Sequence, residues 1–478
     1  MFFKKAYPIV RERKEHCLSR ANIDPEALKV LYRLVHAGYT AYLVGGSVRD
    51  LLMGRQPKDF DISTNARPNE IRRLFRNCFL IGRRFRLAHI VFGRKIIETS
   101  TFRRQPDPND GDGNSGIYQT EDNTFGSPEE DAKRRDFTVN GLFYDPQSFS
   151  VIDYVGGIRD LEKRVLRSIG DPEIRFREDP VRMMRAVKFA ARLDFSLDRA
   201  CRKAMLKHHA DILNASVPRV CEEVFRLFTY GTSRTAFRLC WEYKLLGDLL
   251  PELDAFLTQN GGAKAPLWNV LAALDADPQT ADLTNGVRAA CLFYPLFQAS
   301  LAREEARHPR GRVNRQHVAR LVLQPLAHRL HVPKATLYSA IALLDAGRRL
   351  AEPPQKGRSL RFLHHPAFPE ALAFYRIITV AEKGDRSRLD AWQALYDAEV
   401  ARHEVNPPQD QPIGDEVNEP RDAESDPPPR ARRRRRRKPR KDRDAAAPTQ
   451  PSRHPGRSPA VTVTEVSSAE DARTDGCE

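Results

Sequence analysis

The sequence predicts an α/β domain at the N-terminus, an all-α region after it and a disordered, basic tail at the C-terminus. Segments typical of strands and helices alternate to about residue 160, whereas residues 170 to 400 show a helical pattern rich in Leu, Ala and Arg. After about residue 404, Pro, Asp, Glu, Arg and Ser dominate and aromatic residues vanish. Such a segment buries too little apolar surface to offset its chain entropy, so we expect disorder there.

Capping residues, glycine turns and apolar periodicity define the elements of the N-terminal domain. Asp24 and Pro25 are typical of a helix start and Gly38 of its end, so residues 24–38 are predicted to form a helix. A capping box at Ser127 starts another helix. The remaining predicted elements are the strand TAYLVGG, the helix SVRDLLMG, the strand KDFDIS, a helix from Pro68 and a hairpin of LAHIVFG and IIETSTF.

The charge balance favours a polyanionic partner. The 478 residues carry a formal net charge of +16, a surplus typical of proteins that bind nucleic acid or, less often, an anionic membrane surface. Seven scattered cysteines form no CxxC pair, which argues against a structural zinc site. The sequence has neither a signal-peptide pattern nor an apolar run long enough for a membrane span, so we expect a soluble, cytoplasmic protein without stable membrane insertion.

Two carboxylates stand close together after a glycine turn. Asp59 and Asp61 are two residues apart in a predicted strand, so both point to one face and repel each other unless a cation lies between them. Mg²⁺ suits such oxygen ligands together with substrate phosphates. Upstream, Gly45 and Gly46 let backbone N–H groups approach a phosphate, and Arg49 can reach the same anion. Alone, each feature has a simpler explanation as a tight turn or a solvated strand edge, but together they indicate a site for a metal-bound triphosphate.

Further charged residues are candidates for the same site. Glu98 lies among apolar strand residues and Asp136 follows two arginines, so either can supply a third carboxylate or form a structural ion pair. Asp179, Arg182 and Arg185 recur every three residues in a predicted helix and so share one face. That face is either a solvated charged surface or a donor and acceptor pair that reads the edge of a nucleobase.

A basic cluster lies in the predicted tail. Residues 430–443 contain nine Arg, two Lys and one Asp, a net charge of +10. Such a cluster binds phosphate backbones without sequence preference. A tail without a specific role and a nuclear import signal are the alternatives. The predicted RNA-binding residues share this cluster: Arg432, Arg433, Arg434, Arg435, Arg436, Arg437 and Lys438.

Four motifs in a fixed order resemble those of a known family. LVGGSVRDLL, DFD, RRDFTVN and EDPVRMMRAVKFAARL are similar to the motifs of class II nucleotidyltransferases of the polymerase-β superfamily, which includes bacterial poly(A) polymerases and tRNA CCA-adding enzymes. Within that group, the segment NCFLIGRRFRLAHIVFG, with Arg83, Arg84 and Arg86, and the arginine-rich tail resemble the poly(A) polymerase branch.

The resemblance implies a domain plan and roles for matching positions. A polymerase-β-like nucleotidyltransferase head would occupy residues 1–165, a helical neck with the base-reading motif 166–230, a helical RNA-binding body 231–403 and the disordered tail 404–478. Asp59 and Asp61 would bind catalytic Mg²⁺, and Asp136 would be a third catalytic acid, with Glu98 as the alternative. Asp179 with Arg182 would read the base. The ATP-binding residues would be Gly45, Gly46, Arg49, Arg135, Asp179, Arg182 and Arg185.

The resemblance further implies template-independent addition of adenylate from ATP to RNA 3′ ends, with release of pyrophosphate. A CCA-adding enzyme shares every one of these motifs and stays open as an alternative. A non-catalytic RNA-binding relative is a third reading, against which the intact DFD, RRD and EDPVR residues argue. We expect a monomer that binds ATP and RNA 3′ ends, with RNA-degradation machinery as a further candidate partner.

Overall fold

A mixed eight-stranded sheet forms the head in a computed structural model of the chain. The structure describes residues 8–82, 86–104, 125–354 and 358–405, without the side chains of 358–360 and 403–405. Arg83, Arg84, most of the predicted loop at 104–126 and the tail from residue 406, with its cluster Arg432–Lys438, lie outside the described residues.

The strand order across the sheet is β1-β8-β7-β2-β3-β6-β5-β4. Among the described strands of this sheet, β3 and β6 form the one parallel pair, with Ile62 opposite Thr99, and the other neighbours are antiparallel. A separate parallel pair joins β9 and β10. The strands are β1 Ile9–Arg11, β2 Ala41–Val44, β3 Asp61–Thr64, β4 Cys78–Ile81, β5 Leu87–Phe92, β6 Lys95–Thr101, β7 Leu142–Tyr144, β8 Val151–Asp153, β9 Val165–Leu166 and β10 Ser196–Leu197.

Five of the described α-helices belong to the head, and the sequence predicted four of them. Asp24 caps the first helix, because its Oδ1 accepts hydrogen bonds from the N–H groups of Glu26 and Ala27. Ser127 caps the fourth through the expected box with Glu130. These helices are α1 Pro25–His36, α2 Gly46–Leu52, α3 Pro68–Leu74, α4 Pro128–Arg134 and α5 Gly157–Glu162.

The neck and body are helical, as predicted, and share one continuous hydrophobic core that extends from Phe137 to Trp392. No described helix is long and apolar enough to cross a membrane. The helices are α6 Pro172–Glu178, α7 Val181–Leu193, α8 Arg199–His208, α9 Val217–Arg226, α10 Ser233–Glu242, α11 Leu245–Leu249, α12 Pro251–Gln259, α13 Leu267–Asp275, α14 Asn285–Arg307, α15 Arg315–Arg329, α16 Lys334–Leu350, α17 Arg358–Leu363, α18 Phe368–Ala381 and α19 Ser387–Val405.

Two predicted elements differ from the structure at the residues that matter for function. The strand that was predicted to carry both carboxylates begins at Asp61, so Asp59 lies before it. The pairing of β3 with β2 ends at Asp61 and Val44, because the chain turns away from the sheet at Gly45. Asp179 is not in the same helix as Arg182: it caps the end of α6 with an extended backbone, φ −145° and ψ 90°. A residue before proline avoids the helical conformation, and Pro180 follows it.

A buried carboxylate organises the turn between β8 and α5. Asp153 is fully buried, and its two oxygens accept hydrogen bonds from the backbone N–H groups of four successive residues at 2.8–3.0 Å. This turn carries the chain from the last head strand toward the neck.

Asp153→Ala should lower the free energy of unfolding by at least about 3 kcal/mol, because it leaves several buried N–H donors without a partner. Urea denaturation measures the change. Asp385→Ala is the matched control: this exposed carboxylate accepts hydrogen bonds from Ser387, and its loss should change the free energy of unfolding far less. Equal effects of the two substitutions would contradict the structural role of Asp153.

Candidate active site

One cleft of about 670 Å³ between head and neck brings most of the predicted site residues together. Among the predicted site residues that the structure describes, Glu98 alone is absent from the cleft wall, and it lines a neighbouring cavity. The neck adds residues that the sequence did not single out, among them Lys188, Phe189, Arg192 and Tyr230. The predicted residues in the cleft wall are Gly45, Gly46, Arg49, Asp59, Asp61, Arg135, Asp136, Asp179, Arg182 and Arg185.

The carboxylate pair lies where negative charge is concentrated. Desolvation by the walls of the cleft raises the pKa of Asp61 to about 6, although the residue is exposed to the cleft; the carboxylates of Glu98 and Asp59 add to the rise while Arg135 opposes it. Phe60, between the two aspartates, is buried in the head core. A cation bound between Asp59 and Asp61 would therefore reduce the repulsion between their carboxylates.

The donor set fits Mg²⁺ bound together with a substrate. Among the described residues, no group of three or more His, Cys, Asp or Glu side chains is arranged as a complete metal cage. Mg²⁺ commonly uses one or two carboxylates and completes its octahedral shell with water and phosphate oxygens. Asp59 and Asp61 on the wall of an open cleft match that mode of binding.

The turn before α2 requires a glycine. Gly45 has φ +74°, and a Cβ there would lie 2.9 Å from Nη1 of Arg135. Its N–H donates to the carbonyl of Leu142 at 3.0 Å and so is occupied within the protein. Ser47 Oγ donates to the carbonyl of Val44 and closes the turn. The close approach of Arg135 to this turn brings a cation beside the backbone of Gly45 and Gly46.

Arg49 lines the cleft, but it is only 1 % exposed. Its Nε and Nη2 donate to Asp50 Oδ1 at 2.8 and 2.7 Å, and its Nη1 donates to Asn140 Oδ1. Burial lowers the pKa of Arg49, and the Asp50 carboxylate opposes that shift. Arg49 thus supports the wall of the cleft, and its contact with a triphosphate stays a prediction.

Asp136 uses both carboxylate oxygens within the protein. Oδ2 accepts from Nε and Nη2 of Arg185 at 2.9 and 2.6 Å, and Oδ1 accepts from Asn140 Nδ2 and the Phe137 N–H. Burial alone would raise its pKa, but the charge of Arg185 and these hydrogen bonds hold the pKa below its usual value. Phe137, the next residue, is buried in the neck core, with its ring 5.9 Å from that of Phe189.

These contacts join into one series of hydrogen-bonded side chains, which we name the head–neck polar chain. Asp50 Oδ2 accepts from Nη2 of Arg192 at 2.8 Å, while its Oδ1 holds Arg49. Sequence reasoning missed Asp50, Asn140 and Arg192. The seven-residue spacing of Arg185 and Arg192 along one face of α7 was the available signal. The members of the chain are, in order, Arg192, Asp50, Arg49, Asn140, Asp136 and Arg185.

Glu98 lies beside Asp61 on the neighbouring parallel strand. The register pairs Ile62 with Thr99, so the preceding residues, Asp61 and Glu98, are neighbours across the β3–β6 pair. The Glu98 side chain is half exposed, and Nε2 of His89 is 3.7 Å from its carboxylate. It lines a cavity of about 550 Å³ that shares Asp61 and Arg135 with the main cleft.

The proposed base-reading pair faces the cleft from two different elements. Asp179, at the end of α6, accepts from Nη2 of Arg219 at 2.8 Å. Arg182, in the first turn of α7, donates through Nη1 to the Arg175 carbonyl and to Glu178. Three apolar residues of α7, Val181, Met184 and Val187, are buried in the neck core.

Asp50→Asn should lower the free energy of unfolding by about 3 kcal/mol, because it leaves the buried guanidinium of Arg49 and the partly buried guanidinium of Arg192 without their countercharge. Chemical denaturation of the purified chain measures it. Asp59→Asn is the control in the same cleft. It should leave stability unchanged or slightly higher, because Asp59 adds to the like-charge repulsion at Asp61. If Asp50→Asn left the free energy of unfolding unchanged, the head–neck polar chain would not support the fold.

Comparison with known proteins matches both regions. Residues 41–167 match the model of the poly(A) polymerase head domain, and residues 194–257 match a model described as a probable RNA- and SrmB-binding site of polymerase A. A CCA-adding enzyme from Lactobacillus helveticus is 38% identical over 226 residues, 47% of this chain and 55% of that protein. The crystal structure of the Bacillus stearothermophilus CCA-adding enzyme in complex with CTP has a TM-score of 0.59 and 27% identity, with 80% of this chain and 83% of that chain covered.

Similarity to poly(A) polymerases extends over most of the chain. Poly(A) polymerase I of Salmonella typhimurium is 38% identical over 404 residues, which cover 81% of this chain and 85% of that protein. The corresponding protein of Escherichia coli O6:H1 is 39% identical over 398 residues, 80% of this chain and 84% of that protein. The chain therefore belongs to the poly(A) polymerase family.

Proposed function

We propose that the protein is a template-independent RNA 3′-end adenylyltransferase that builds poly(A) tails from ATP and releases pyrophosphate. One observation carries the proposal: the carboxylate pair, the arginines and the neck residues of the family motifs line a single cleft. The relatives that match most of the chain are named poly(A) polymerase I. The proposal includes a monomer in the cytoplasm that extends RNA 3′ ends and supplies tailed RNA to degradation machinery.

In this proposal Asp59 and Asp61 hold Mg²⁺, which when bound activates the RNA 3′-hydroxyl and stabilises the leaving pyrophosphate. Arg135 and Arg185 bind phosphate oxygens from the walls of the cleft. Asp136 fixes the guanidinium of Arg185, so that it needs little reorganisation when charge develops on the phosphates. The 3′-hydroxyl loses its proton to solvent as its oxygen forms a bond to the α-phosphorus, and the bond from that phosphorus to the bridging β-phosphate oxygen breaks, so that pyrophosphate leaves.

Asp179 and Arg182 give partial base selectivity. The Watson–Crick edge of adenine offers the N6 amino donor and the N1 acceptor, which match an Asp acceptor and an Arg donor. Cytosine offers the same order, with an N4 donor and an N3 acceptor, whereas guanine and uracil offer the reverse. This pair therefore selects against GTP and UTP, and the choice between ATP and CTP depends on other features of the cleft.

A second candidate function is CCA addition to tRNA. The similarity to the Bacillus stearothermophilus CCA-adding enzyme in complex with CTP favours it. The equivalence of adenine and cytosine at the Asp179–Arg182 pair keeps it open. Poly(A) addition is preferred because the CCA-adding relative matches 47% of the chain, whereas poly(A) polymerase I matches 81%.

Primer extension with Mg²⁺ separates the two activities. With an unstructured RNA and ATP alone, we expect a long ladder of products, and with CTP alone little addition. Addition that stops after three nucleotides on a tRNA lacking its CCA end, and requires CTP, would overturn the proposal.

Asp61→Asn should lower the rate of AMP addition at least about a thousandfold because the metal loses a ligand. Asp145→Asn, outside the cleft, is the activity control.

Glu98 is the third carboxylate in our proposal, because Asp136 is occupied by Arg185 while Glu98 lies beside Asp61. Glu98→Gln should lower kcat about a hundredfold and raise the Mg²⁺ concentration needed for half-maximal rate, with the KM for ATP unchanged. Asp136→Asn should instead raise the KM for ATP, because Arg185 loses its partner. Steady-state kinetics at varied ATP and Mg²⁺ measures both, and the reverse pattern would assign the third carboxylate to Asp136.

A further inference from the structure

Tyr230 stands out at the neck side of the cleft. It lies in the 3-10 turn Thr229–Gly231 between α9 and α10 and lines the same cleft as Asp59 and Asp61. Its side chain belongs to the exposed large residues, with 49 % of the residue surface accessible. None of the family motifs in the sequence includes it.

The backbone at Tyr230 is strained. Its φ of +70° is in the left-handed region, and Gly231 follows with φ +63°. For a residue with a Cβ this conformation is disfavoured. The turn is held on both sides: Phe228 is buried against the ring of Phe237, with centroids 4.9 Å apart, and Ser233 donates to Asp275 through its backbone and hydroxyl groups. The fold therefore maintains an exposed aromatic ring in a conformation that glycine would adopt more easily.

One face of the Tyr230 ring is occupied by an arginine that is itself fixed. The guanidinium carbon of Arg192 lies 4.0 Å from the ring centroid. Nη2 of Arg192 donates to Asp50, whose other oxygen holds Arg49 in the head–neck polar chain. A cation over one face of a tyrosine at this distance stabilises the ring position and leaves the opposite face for a ligand.

The surroundings of the ring favour a nucleic-acid ligand. The lining of the cleft carries nine Arg or Lys side chains against five Asp side chains, so it attracts polyanions. Aromatic rings within a cationic groove are the usual means of binding single-stranded nucleic acid, because every base has a face that can stack. An unpaired nucleobase fits the chemistry of the Tyr230 ring.

We propose that Tyr230, supported by Arg192, is the stacking platform for the base at the 3′ end of the RNA primer. The inference rests on the proposed function and specifies where the second substrate binds. The 3′-hydroxyl must reach Asp59 and Asp61, which line the cleft that Tyr230 also lines. The base of ATP is assigned to Asp179 and Arg182, so the primer is the substrate left for the ring.

A fluorescent primer tests stacking without catalysis. The full chain is titrated, without ATP, into an RNA that ends in 2-aminopurine, whose fluorescence is quenched by stacking. The wild type and Tyr230→Phe should quench it. Tyr230→Gly, which removes the ring and also relieves the positive φ, should lose the quench and bind the primer about tenfold more weakly, with no loss of thermal stability. Tyr338→Ala removes another exposed tyrosine outside the cleft and should behave as wild type.

Kinetics distinguishes the primer base from the base of ATP. Tyr230→Gly should raise the KM for RNA about tenfold and leave the KM for ATP unchanged. An unchanged quench in Tyr230→Gly, or a raised KM for ATP with an unchanged KM for RNA, would overturn the platform. Ring-dependent quenching in a protein that adds no AMP would support the platform and overturn the proposed function. If Tyr230→Gly changed neither AMP addition nor quenching, the proposed function would stand and the platform would be overturned.

Discussion

Asp136 and Arg185 join the head to the neck through two charged hydrogen bonds at 2.6 and 2.9 Å. Neither residue is positioned by its own element alone. Phe137 anchors the loop of Asp136 in the neck core, and Asn140 fixes the second carboxylate oxygen. Because the walls of the cleft come from both regions, this contact helps to hold them at their spacing, together with the Asp50–Arg192 contact. The ion pair thus contributes to the relative position of the carboxylates and the neck arginines.

The same series of contacts connects the two proposed substrate positions. Asp136 holds an arginine assigned to ATP, and Asp50, farther along the head–neck polar chain, holds the arginine beneath Tyr230. A substrate that orders one end of a shared hydrogen-bonded network reduces the entropy that the other substrate must lose. The arrangement therefore provides a physical route for cooperation between nucleotide and primer.

Local patterns predicted much of this structure, and distant pairings account for the rest. The sequence predicted the roles that depend on adjacent residues alone: the helix caps Asp24 and Ser127 and the turn at Gly45. Strands β7 and β8 have three residues each, too few for a pattern, and were missed. Asn140 and Arg192 were missed because their partners lie 91 and 142 residues away. Pro180 indicated that a helix ends at Asp179. The regular spacing of Asp179, Arg182 and Arg185 instead led to the prediction of one continuous helix.

Burial divides the charges of this protein into two groups with different responses to ionic strength. The head–neck polar chain is built of side chains that are mostly inaccessible to water, where mobile ions screen little. Contacts between exposed arginines and phosphates release counterions and weaken steeply as salt rises. Rising salt will therefore weaken RNA binding while the cleft stays assembled. RNA binding and assembly of the active site can thus be separated in solution.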